Sequence, residues 1–321
     1  MAVYTHITDG DLSTFLTAYD IGELTSFSGI AEGVENSNFL VRTTTGSYIL
    51  TLYERRVDPN DLPFFLGFMG HLSGSGLSCP TPILGNDGTA LKELNGRPAA
   101  IVTFLEGVGP KRIQPGHCRS LGSAMAAMHQ AGTHFDMRRV NALSVESWRP
   151  LLASCDLPNR EIYHALYNEL NVTLKGLEQD WPTDLPIGVV HADMFPDNVF
   201  FLNRDVSGII DFYFACTDFL VYDLAICLNA WCFESDGAFN MTKARLMVSS
   251  YQKVRPLSAA ELDALPVLAR GSAMRFLLTR LYDWLNQPEG AMVKPKDPME
   301  YLKRLRFHQK VTCPSAYGLE L

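Results

Sequence analysis

The chain has 321 residues, of which 47% are hydrophobic and 19% charged, so it is not intrinsically disordered and can build two lobes around a large core. A formal net charge of −8 argues against a general nucleic-acid or membrane-surface binder. No apolar run predicts a transmembrane span, and the N-terminus has no signal-peptide pattern. The seven cysteines form no Cys-x-x-Cys pair, which favours free buried thiols in a reducing cytoplasm.

The first predicted elements are a helix and two strands around a polar loop. The helix begins after Thr8, a favoured capping residue that precedes acidic positions. Strands at residues 24–27 and 39–42 enclose small, polar residues, which can fold over phosphate groups and donate backbone N–H groups to them; an ordinary hairpin fits the same pattern. The loop residues that we expect to contact phosphate are Gly33, Asn36, Ser37 and Asn38.

Two hairpins and a helix complete the N-terminal half. Pairing strands around the turn at residues 44–47 puts Arg42 opposite Ile49 and on the face of Thr51. A helix follows at residues 62–72, and a hairpin about Asn95-Gly96 leads to a strand that is apolar on both faces. The pattern predicts an N-terminal lobe of residues 1–104, a linker of residues 105–110, and a C-terminal lobe of residues 111–321.

The C-terminal half is predominantly helical. His129 and His134 lie on or beyond an apolar helix face without a cysteine or carboxylate at metal spacing, so we favour packed or capped imidazoles over metal ligands. Residues 148–181 read as amphipathic helix. Ser258 begins a capping box for a later helix. Further along, Arg275 either meets a substrate carboxylate or forms an ion pair within the protein.

Residues 189–212, VVHADMFPDNVFFLNRDVSGIIDF, carry the densest set of chemically active side chains. The apolar entry and the turn signals predict a strand, a tight loop and two further strands. His191, Asp193 and Asn198 stand in the loop, and Asp211 closes the last strand. Two carboxylates and an amide suit a reaction in which a hydroxyl is oriented beside Mg²⁺ on a polyphosphate. The alternative is a pair of solvated turns with ordinary acidic residues.

The segment HADMFPDN keeps the kinase spacing H-R-D-x-x-x-x-N with Ala in the Arg position, and Asp-Phe-Tyr follows where kinases have Asp-Phe-Gly. It resembles the aminoglycoside-phosphotransferase and choline-kinase branch of the protein-kinase-like fold. The resemblance implies an α+β, bilobal protein that binds ATP and Mg²⁺, with a small antiparallel β-sheet lobe followed by a larger, mainly helical lobe. It assigns the catalytic set to Asp193, Asn198 and Asp211, with Asp193 as base, the other two as Mg²⁺ ligands, and His191 bracing the loop.

The N-terminal half departs from this pattern at one place. Thr51 stands where kinases carry a phosphate-binding Lys, and the helix at residues 62–72 has no Glu to pair with such a Lys. Arg42, Arg55 and Arg56 are candidates for the missing cation, or they are solvated surface residues. The resemblance also implies that adenine meets the lobe linker. The further nucleotide contacts that it implies are Arg42, Thr51, Phe104 and Glu106.

Longer segments narrow the resemblance. ILTLYERRVDPNDLPFFLGFMGHL, VTFLEG and RFLLTRLYDWLNQPEGAMVKPKDPMEYLKRLRFHQ, with the catalytic segment, look like the bacterial homoserine kinases of the phosphotransferase-like type, nearly end to end. The implied reaction phosphorylates the hydroxyl of L-homoserine with ATP, a step of threonine biosynthesis, in a monomer or homodimer. The substrate contacts that we assign are Asp193, Tyr213, Trp231 and Arg275. Asp223, at the start of the following helix, either caps that helix or holds the catalytic loop.

Two other functions stay open at this point. Another small-molecule kinase of the same fold, acting on choline, methylthioribose or an aminoglycoside, would carry the same catalytic loop. A nucleotide-binding pseudokinase that serves as a regulator would account for Thr51 and the missing Glu. The intact Asp193, Asn198 and Asp211 argue against the pseudokinase.

Overall fold

The structure is a computed structural model that describes residues 5–30, 36–54, 57–287 and 295–319. Helix α1 (Asp9–Leu16) starts at the predicted cap. The Thr8 side chain accepts the backbone N–H of Asp11, and the Asp11 carboxylate accepts the backbone N–H of Thr8. This reciprocal capping box satisfies two N–H groups that the helix itself leaves unpaired. The apolar face of α1 then packs on the sheet of the small lobe.

The small lobe is built on a five-stranded antiparallel sheet in the order β1-β2-β3-β5-β4. Burial alternates along β2, as expected for a sheet with one face on the core and one toward solvent. Leu50 and Leu52 of β3 have no exposed surface. The strands are β1 (Leu24–Gly29), β2 (Ser37–Thr43), β3 (Ser47–Leu52), β4 (Leu91–Leu94) and β5 (Arg97–Thr103).

The predicted register of β2 and β3 is wrong by two residues. Arg42 lies opposite Ser47, and Ile49 lies opposite Leu40. The cause is a tighter turn than assumed: the backbone N–H of Thr43 already donates to the carbonyl of Gly46, at 2.8 Å. Arg42 keeps the face of Ile49 but is exposed, at the far end of β2 from the residue that pairs with Thr51.

Helix α2 (Leu62–Gly74) joins the two lobes through aromatic packing. The Phe64 ring centroid lies 5.5 Å from that of Phe135, and the Phe68 centroid lies 5.9 Å from that of Phe212. These contacts place α2 in the larger core although its sequence lies in the small lobe. The lobe boundaries at residues 104 and 111 therefore stay predictions, because the hydrophobic core crosses them.

The large lobe is mainly helical, with two short antiparallel strand pairs that hold the catalytic segment. β6 (Ile187–Val190) pairs with β9 (Cys216–Phe219), and β7 (Val199–Leu202) pairs with β8 (Asp205–Ile209). The described helices are α3 (Pro115–Gly132), α4 (Val145–Ser154), α5 (His164–Asp180), α6 (Leu220–Trp231), α7 (Met241–Val254), α8 (Ala259–Leu285) and α9 (Pro298–His308). Across the described residues, none of these helices is long and apolar enough to span a bilayer.

Two helix predictions need adjustment. Residues 148–181 do not form one helix, because α4 ends at Ser154 and short 3₁₀ turns around Pro158 precede α5. Conversely, the capping box at Ser258 opens a single helix of 27 residues, which runs through Pro266 to Leu285. The thiol prediction holds for six cysteines, which are free and buried; the seventh, Cys313, is free but exposed.

Candidate active site

Two residues that flank the strand pair of β7 and β8 adopt the left-handed region of backbone conformation. Ala192 has φ 61°, and Asp211, at the end of the following strand pair, has φ 64°. L-residues adopt this conformation at a cost, and it persists only where the surroundings impose it. Here it turns the chain sharply on either side of β7 and β8, so that Asp193 and Asp211 face the same space between the lobes.

Asp223, on α6, imposes the shape of the loop. Its fully buried carboxylate accepts the backbone N–H groups of His191 and Ala192, each at 2.7 Å. Burial alone would raise the pKa of Asp223, but the hydrogen bond and charge of His129 and the loop N–H groups lower it below its ordinary value. Of the two roles left open by the sequence, holding the loop is therefore confirmed.

His191 braces the loop from inside, as the family resemblance implied. Its Nε2 lies 2.9 Å from the carbonyl oxygen of Ile210, and its Nδ1 accepts the backbone N–H of Asp193 at 3.2 Å. A carbonyl only accepts, so Nε2 carries the hydrogen and the ring is neutral. Complete burial lowers the pKa of His191 and keeps it in that form. Its ring packs on Phe212, at 4.7 Å between centroids.

Asn198 and Asp193 are joined directly. The Nδ2 of Asn198 donates to the backbone carbonyl of Asp193 at 2.9 Å and to its carboxylate Oδ2 at 3.0 Å. Both acceptors are oxygens, which fixes the orientation of the amide and turns its Oδ1 away from Asp193. The amide thus holds the candidate base in place and offers a hard oxygen ligand on its other side.

Neighbouring charges act on the pKa of Asp193 in opposite directions. Loss of hydration and the negative charge of Asp211 raise the pKa of Asp193 well above its ordinary value, and the positive charges of Arg275 and Lys296 partly offset this. A carboxylate with a raised pKa is a better proton acceptor than a solvated one. The same effect shows that Asp211 lies close enough to act on Asp193 electrostatically.

The donor set fits a magnesium ion that is bound mainly through a nucleotide. Within the described ranges, no three His, Cys, Asp or Glu side chains are arranged to hold a metal by themselves. The residues that could hold the ion are Asn198, through Oδ1, and Asp211, through its carboxylate. Mg²⁺ in phosphoryl-transfer sites commonly takes one or two protein ligands and completes its shell with phosphate oxygens and water.

On the small-lobe side of the cleft, hydroxyl and amide side chains bond to one another and to Glu54. Thr51, which is buried, donates its hydroxyl to the Oδ1 of Asn38 at 2.8 Å. Ser37 donates to the carboxylate of Glu54 at 2.8 Å, and the Oδ1 of Asn36 accepts the backbone N–H of Glu54 at 3.3 Å. These predicted phosphate contacts are thus bonded within the lobe through their side chains. Gly33, Arg55 and Arg56 lie outside the described residues.

Two tyrosines cross from the small lobe to the catalytic segment. The hydroxyls of Tyr53 and Tyr213 lie 3.1 Å apart, and their rings meet edge to face at 5.3 Å. Burial, together with the negative charge of Asp211, raises the pKa of Tyr213 to about 12, so the phenol stays protonated. Tyr53 directly follows β3, the strand that has Thr51 in place of the kinase Lys. Tyr213 lies two positions after the predicted metal ligand Asp211, so the pair joins these two parts of the cleft.

The predicted linker, residues 105–110, follows β5. The backbone N–H of Phe104 donates to the carbonyl of Ser47, at 3.4 Å, and Phe104 itself is partly exposed. The carbonyl of Glu106 accepts the hydroxyl of Ser207, at 2.8 Å. Val108 then bridges to Phe201 in the large lobe. The segment thus runs from the sheet to the catalytic strand pair, and its nucleotide contacts remain predictions.

Of the two further substrate contacts assigned from the sequence, one lies beside the site and one does not. Arg275 is 2% exposed and donates from Nη1 to the carbonyl of Ala192, next to the candidate base, at 2.9 Å. Trp231 has no exposed surface, and its indole N–H donates to the carbonyl of Met194 at 2.7 Å. Trp231 therefore supports the loop from the core. Its assignment from the sequence as a substrate contact is wrong, because a side chain with no exposed surface does not reach a substrate.

Sequence reasoning missed a buried polar row behind the loop, formed by Asp223, His129, Tyr251, Arg255 and Glu261. His129 lies 3.0 Å from Asp223 and 2.7 Å from the Tyr251 hydroxyl. Arg255 donates to that hydroxyl at 3.2 Å and to Glu261 at 2.8 Å. Glu261 closes the capping box of α8. The only signal was a histidine on an apolar helix face, which requires a polar partner.

Comparison with known sequences places this site in a family. The sequence profile of the APH group, described as the phosphotransferase enzyme family, matches residues 26–257. The chain belongs to this family of phosphotransferases.

Its relatives include proteins described as homoserine kinases. The one from Paramagnetospirillum magneticum is 62% identical over 326 residues and covers 100% of both chains. The one from Xanthobacter autotrophicus is 61% identical over 319 residues and covers 99% of both. Similarity of this extent places the whole chain, including the helices beyond residue 257, among these relatives.

Solved structures confirm the bilobal α+β fold. Amicoumacin kinase in complex with AMP-PNP, Ca²⁺ and Ami superposes with a TM-score of 0.69 at 16% identity, over 95% of this chain and 93% of that one. Choline kinase from Cryptosporidium parvum superposes with a TM-score of 0.68 at 14% identity, over 94% and 95%. At these identities the likeness concerns the fold, which is the one that the catalytic-loop spacing predicted.

Proposed function

We propose that the protein is an ATP-dependent homoserine kinase, which converts L-homoserine and ATP to O-phospho-L-homoserine and ADP in threonine biosynthesis. The observation that carries the proposal is the hydrogen-bonded pair of Asp193 and Asn198, with Asp211 close enough to act on the charge of Asp193, in a chain 62% identical over its full length to a homoserine kinase. The free cysteines suit the cytoplasm, where such a biosynthetic step would take place.

The base chemistry belongs to Asp193. Its carboxylate, held by the Asn198 amide, orients the acceptor hydroxyl toward the γ-phosphorus and takes up its proton as the new P–O bond forms. The bond from the γ-phosphorus to the bridging oxygen breaks, and ADP leaves. The hydrogen bond from Nη1 of Arg275 to the carbonyl of Ala192 holds the catalytic loop against α8 during phosphoryl transfer. Position and electrostatics supply the rate, without a covalent enzyme intermediate.

Asn198 and Asp211 are the proposed magnesium ligands. When bound, Mg²⁺ would neutralise charge that develops on the phosphate oxygens. The negative charge of Asp211 raises the pKa of Asp193, which supports a position of this carboxylate near the candidate base. The linker at Phe104 and Glu106 is the proposed adenine site, and the loop before β2 the proposed cover for the phosphates. Tyr213 and Arg275 are the proposed contacts for the acceptor, next to Asp211 and Asp193.

The test is an ADP-release assay with one acceptor at a time: L-homoserine, choline, methylthioribose and kanamycin. We expect turnover with L-homoserine and background rates with the other three. Faster turnover with one of the others would assign the protein to a sister kinase. If ATP binds tightly in the presence of Mg²⁺ but no acceptor gives ADP release, the protein is a pseudokinase and the proposal fails.

A further inference from the structure

A polar cavity of about 340 Å³ opens beside the catalytic segment, between the start of α2, the segment after α3, and α8. This volume lies at the lower end of the ~300–1,000 Å³ range of small-molecule sites. Its wall includes Tyr213 and Phe214, which follow the proposed metal ligand Asp211, and Arg275, which bonds to the loop at Ala192. The cavity therefore adjoins the site of phosphoryl transfer.

Two guanidinium groups face this cavity. Arg139 donates from Nε to Asp61 at 2.6 Å and from Nη1 to the carbonyl of Ala215 at 3.2 Å. These bonds fix the plane of the group and leave its Nη2 for another acceptor. The flat face of Arg139 lies over the Phe65 ring, 5.0 Å from its centroid. A cation held on three sides in this way is set up to receive a planar anion.

Arg275 supplies the second cation, and one of its N–H groups lacks a hydrogen-bond acceptor. It is almost fully buried, and its guanidinium lies 4.6 Å from the Phe276 centroid. Among the described residues, its Nε has no hydrogen-bond partner. A buried charged donor without an acceptor is unfavourable. The guanidinium of Arg275, which lines the cavity, thus has hydrogen-bonding capacity that the described residues leave unused.

The cavity also carries the opposite charge. Asp58 and Asp61 line it on the α2 side, and Asp61 uses one carboxylate oxygen for Arg139. A ligand with only negative charge would meet these carboxylates, and a ligand with only positive charge would meet the guanidinium groups. Two cations and two anions around one small space suit a zwitterion.

We propose that this cavity binds the α-carboxylate of the amino-acid acceptor between Arg139 and Arg275, and its α-ammonium group at Asp61 and Asp58. The side-chain hydroxyl then points past Tyr213 toward Asp193. The inference rests on the proposed function for the identity of the acceptor, but the chemical class of ligand follows from the cavity. It distinguishes an amino acid from the uncharged or purely cationic alcohols that the same fold could serve.

The experiment compares the kinetics of three variants with the wild type. Arg139→Gln removes one cation, and Ala142→Leu fills the cavity from its lining without changing a charge. Arg149→Gln is the matched control, because it removes an arginine that pairs with Glu178 on the surface of α4 and α5. For the first two variants we expect the KM for L-homoserine to rise about tenfold or more, with kcat and the KM for ATP within about twofold. The control should change none of these.

Acceptor analogues separate binding from folding. The wild type should strongly prefer L-homoserine over 3-amino-1-propanol, which lacks the carboxylate, and Arg139→Gln should lose most of that preference. A variant that was merely damaged would lose activity on both. Ala142→Leu keeps the test decisive if Arg139→Gln does not fold.

Calorimetric titration with L-2-aminobutyrate, a zwitterion without a hydroxyl, tests the cavity apart from catalysis. Binding to the wild type that Ala142→Leu abolishes supports the proposal, even if no acceptor is phosphorylated and the proposed function fails. An unchanged KM for L-homoserine in both cavity variants overturns it, although kinase activity would stand. Loss of aminobutyrate binding with unchanged homoserine kinetics would also overturn it, because the cavity would then hold a different amino acid.

Discussion

On the large-lobe wall of the cleft, charged groups stand close together: Asp193 and Asp211 act on each other, and a buried carboxylate, Asp223, holds the loop by two N–H groups. On the small-lobe wall, the corresponding positions carry hydroxyls and amides. Thr51 bonds to Asn38, and the lobe contacts the catalytic segment through two phenols. The large-lobe wall keeps the pattern of the kinase fold, whereas the small-lobe wall replaces an ion pair with neutral groups.

This difference shows which part of the chemistry is hard to replace. A base and a metal site require carboxylates and an amide at fixed positions, because proton transfer and Mg²⁺ coordination depend on those groups. Contact with a triphosphate has several solutions, since backbone N–H groups, hydroxyls and a metal ion all bind phosphate oxygens. The following experiments test the contrast, beginning with the largest expected effect.

Replacing Asp193 with Asn should have the largest effect on activity. The variant keeps the shape of the side chain but removes the proton acceptor, so we expect kcat to fall by about 10²–10⁴-fold. The KM for ATP should stay close to that of the wild type. Steady-state kinetics with L-homoserine provides the measurement, and Asp197→Asn, at an exposed position of the same loop, is the control. Near-normal turnover would remove Asp193 from the role of base.

Replacing Asp223 with Asn should have the largest effect on stability. An amide has one acceptor oxygen, so its NH₂ would face a backbone N–H of the loop inside a dry core. We expect about 3–5 kcal/mol less stability, the usual cost of breaking a buried charged network, together with a lower kcat. Urea unfolding measures the change, and Asp205→Asn on an exposed turn should be neutral. Equal stability of the two variants would contradict the role of Asp223 in holding the loop.

Thr51→Lys tests whether the small-lobe wall has room for the missing cation. The tyrosine pair and Asn38 occupy the space around Thr51, and α2 carries no acidic residue to pair with a new ammonium group. We expect a loss of about 1–3 kcal/mol from overpacking and no gain in kcat/KM for ATP. Thr51→Ser, which keeps the hydroxyl, is the control. A more active Lys variant would show that the small-lobe wall accepts the phosphate-binding Lys of other kinases.

The tyrosine pair should show a smaller, measurable coupling. Tyr53→Phe and Tyr213→Phe each remove one hydroxyl, and the double variant completes a cycle. We expect a coupling free energy of about 0.5–1.5 kcal/mol, the net value of one hydrogen bond. The KM for Mg-ATP should rise in each single variant if the pair sets the position of the segment after Asp211. Strict additivity in unfolding and kinetics would mean that the lobes are not linked here.

Arg42→Ala should have the smallest effect. The side chain is exposed and lies opposite Ser47, at the far end of β2 from Asn38. We expect the KM for ATP and kcat to change by less than about twofold, as for surface substitutions away from a site. Both values come from a titration with ATP at saturating acceptor. A tenfold higher KM would restore Arg42 as the phosphate-binding cation that the sequence suggested.

Much of the site could be predicted because its chemistry depends on short spacing within one segment. His191, Asp193 and Asn198 keep their relative positions in any chain that forms the loop, and the family resemblance of the segment that contains them implied the bilobal α+β fold. The register of β2 was missed because one hydrogen bond from Thr43 shortens the turn, and a shift of this kind leaves the strand pattern unchanged.

Most of the missed contacts involve long separations along the chain. Trp231 is a residue type that often contacts substrates, but only the folded structure shows that its indole N–H donates to the carbonyl of Met194. Arg139 and Asp61 are 78 residues apart and form the edge of the cavity. Periodicity and spacing describe neighbours in sequence, whereas these pairs are set by how helices and lobes pack.

The buried polar row behind the catalytic loop has a consequence for how such chains diverge. Asp223, His129, Tyr251, Arg255 and Glu261 each give or receive a bond from the next. Changing an inner member removes one hydrogen bond from each of its two neighbours, so exchanges should involve neighbouring positions of the row together. Positions 129 and 251 should therefore covary among related chains.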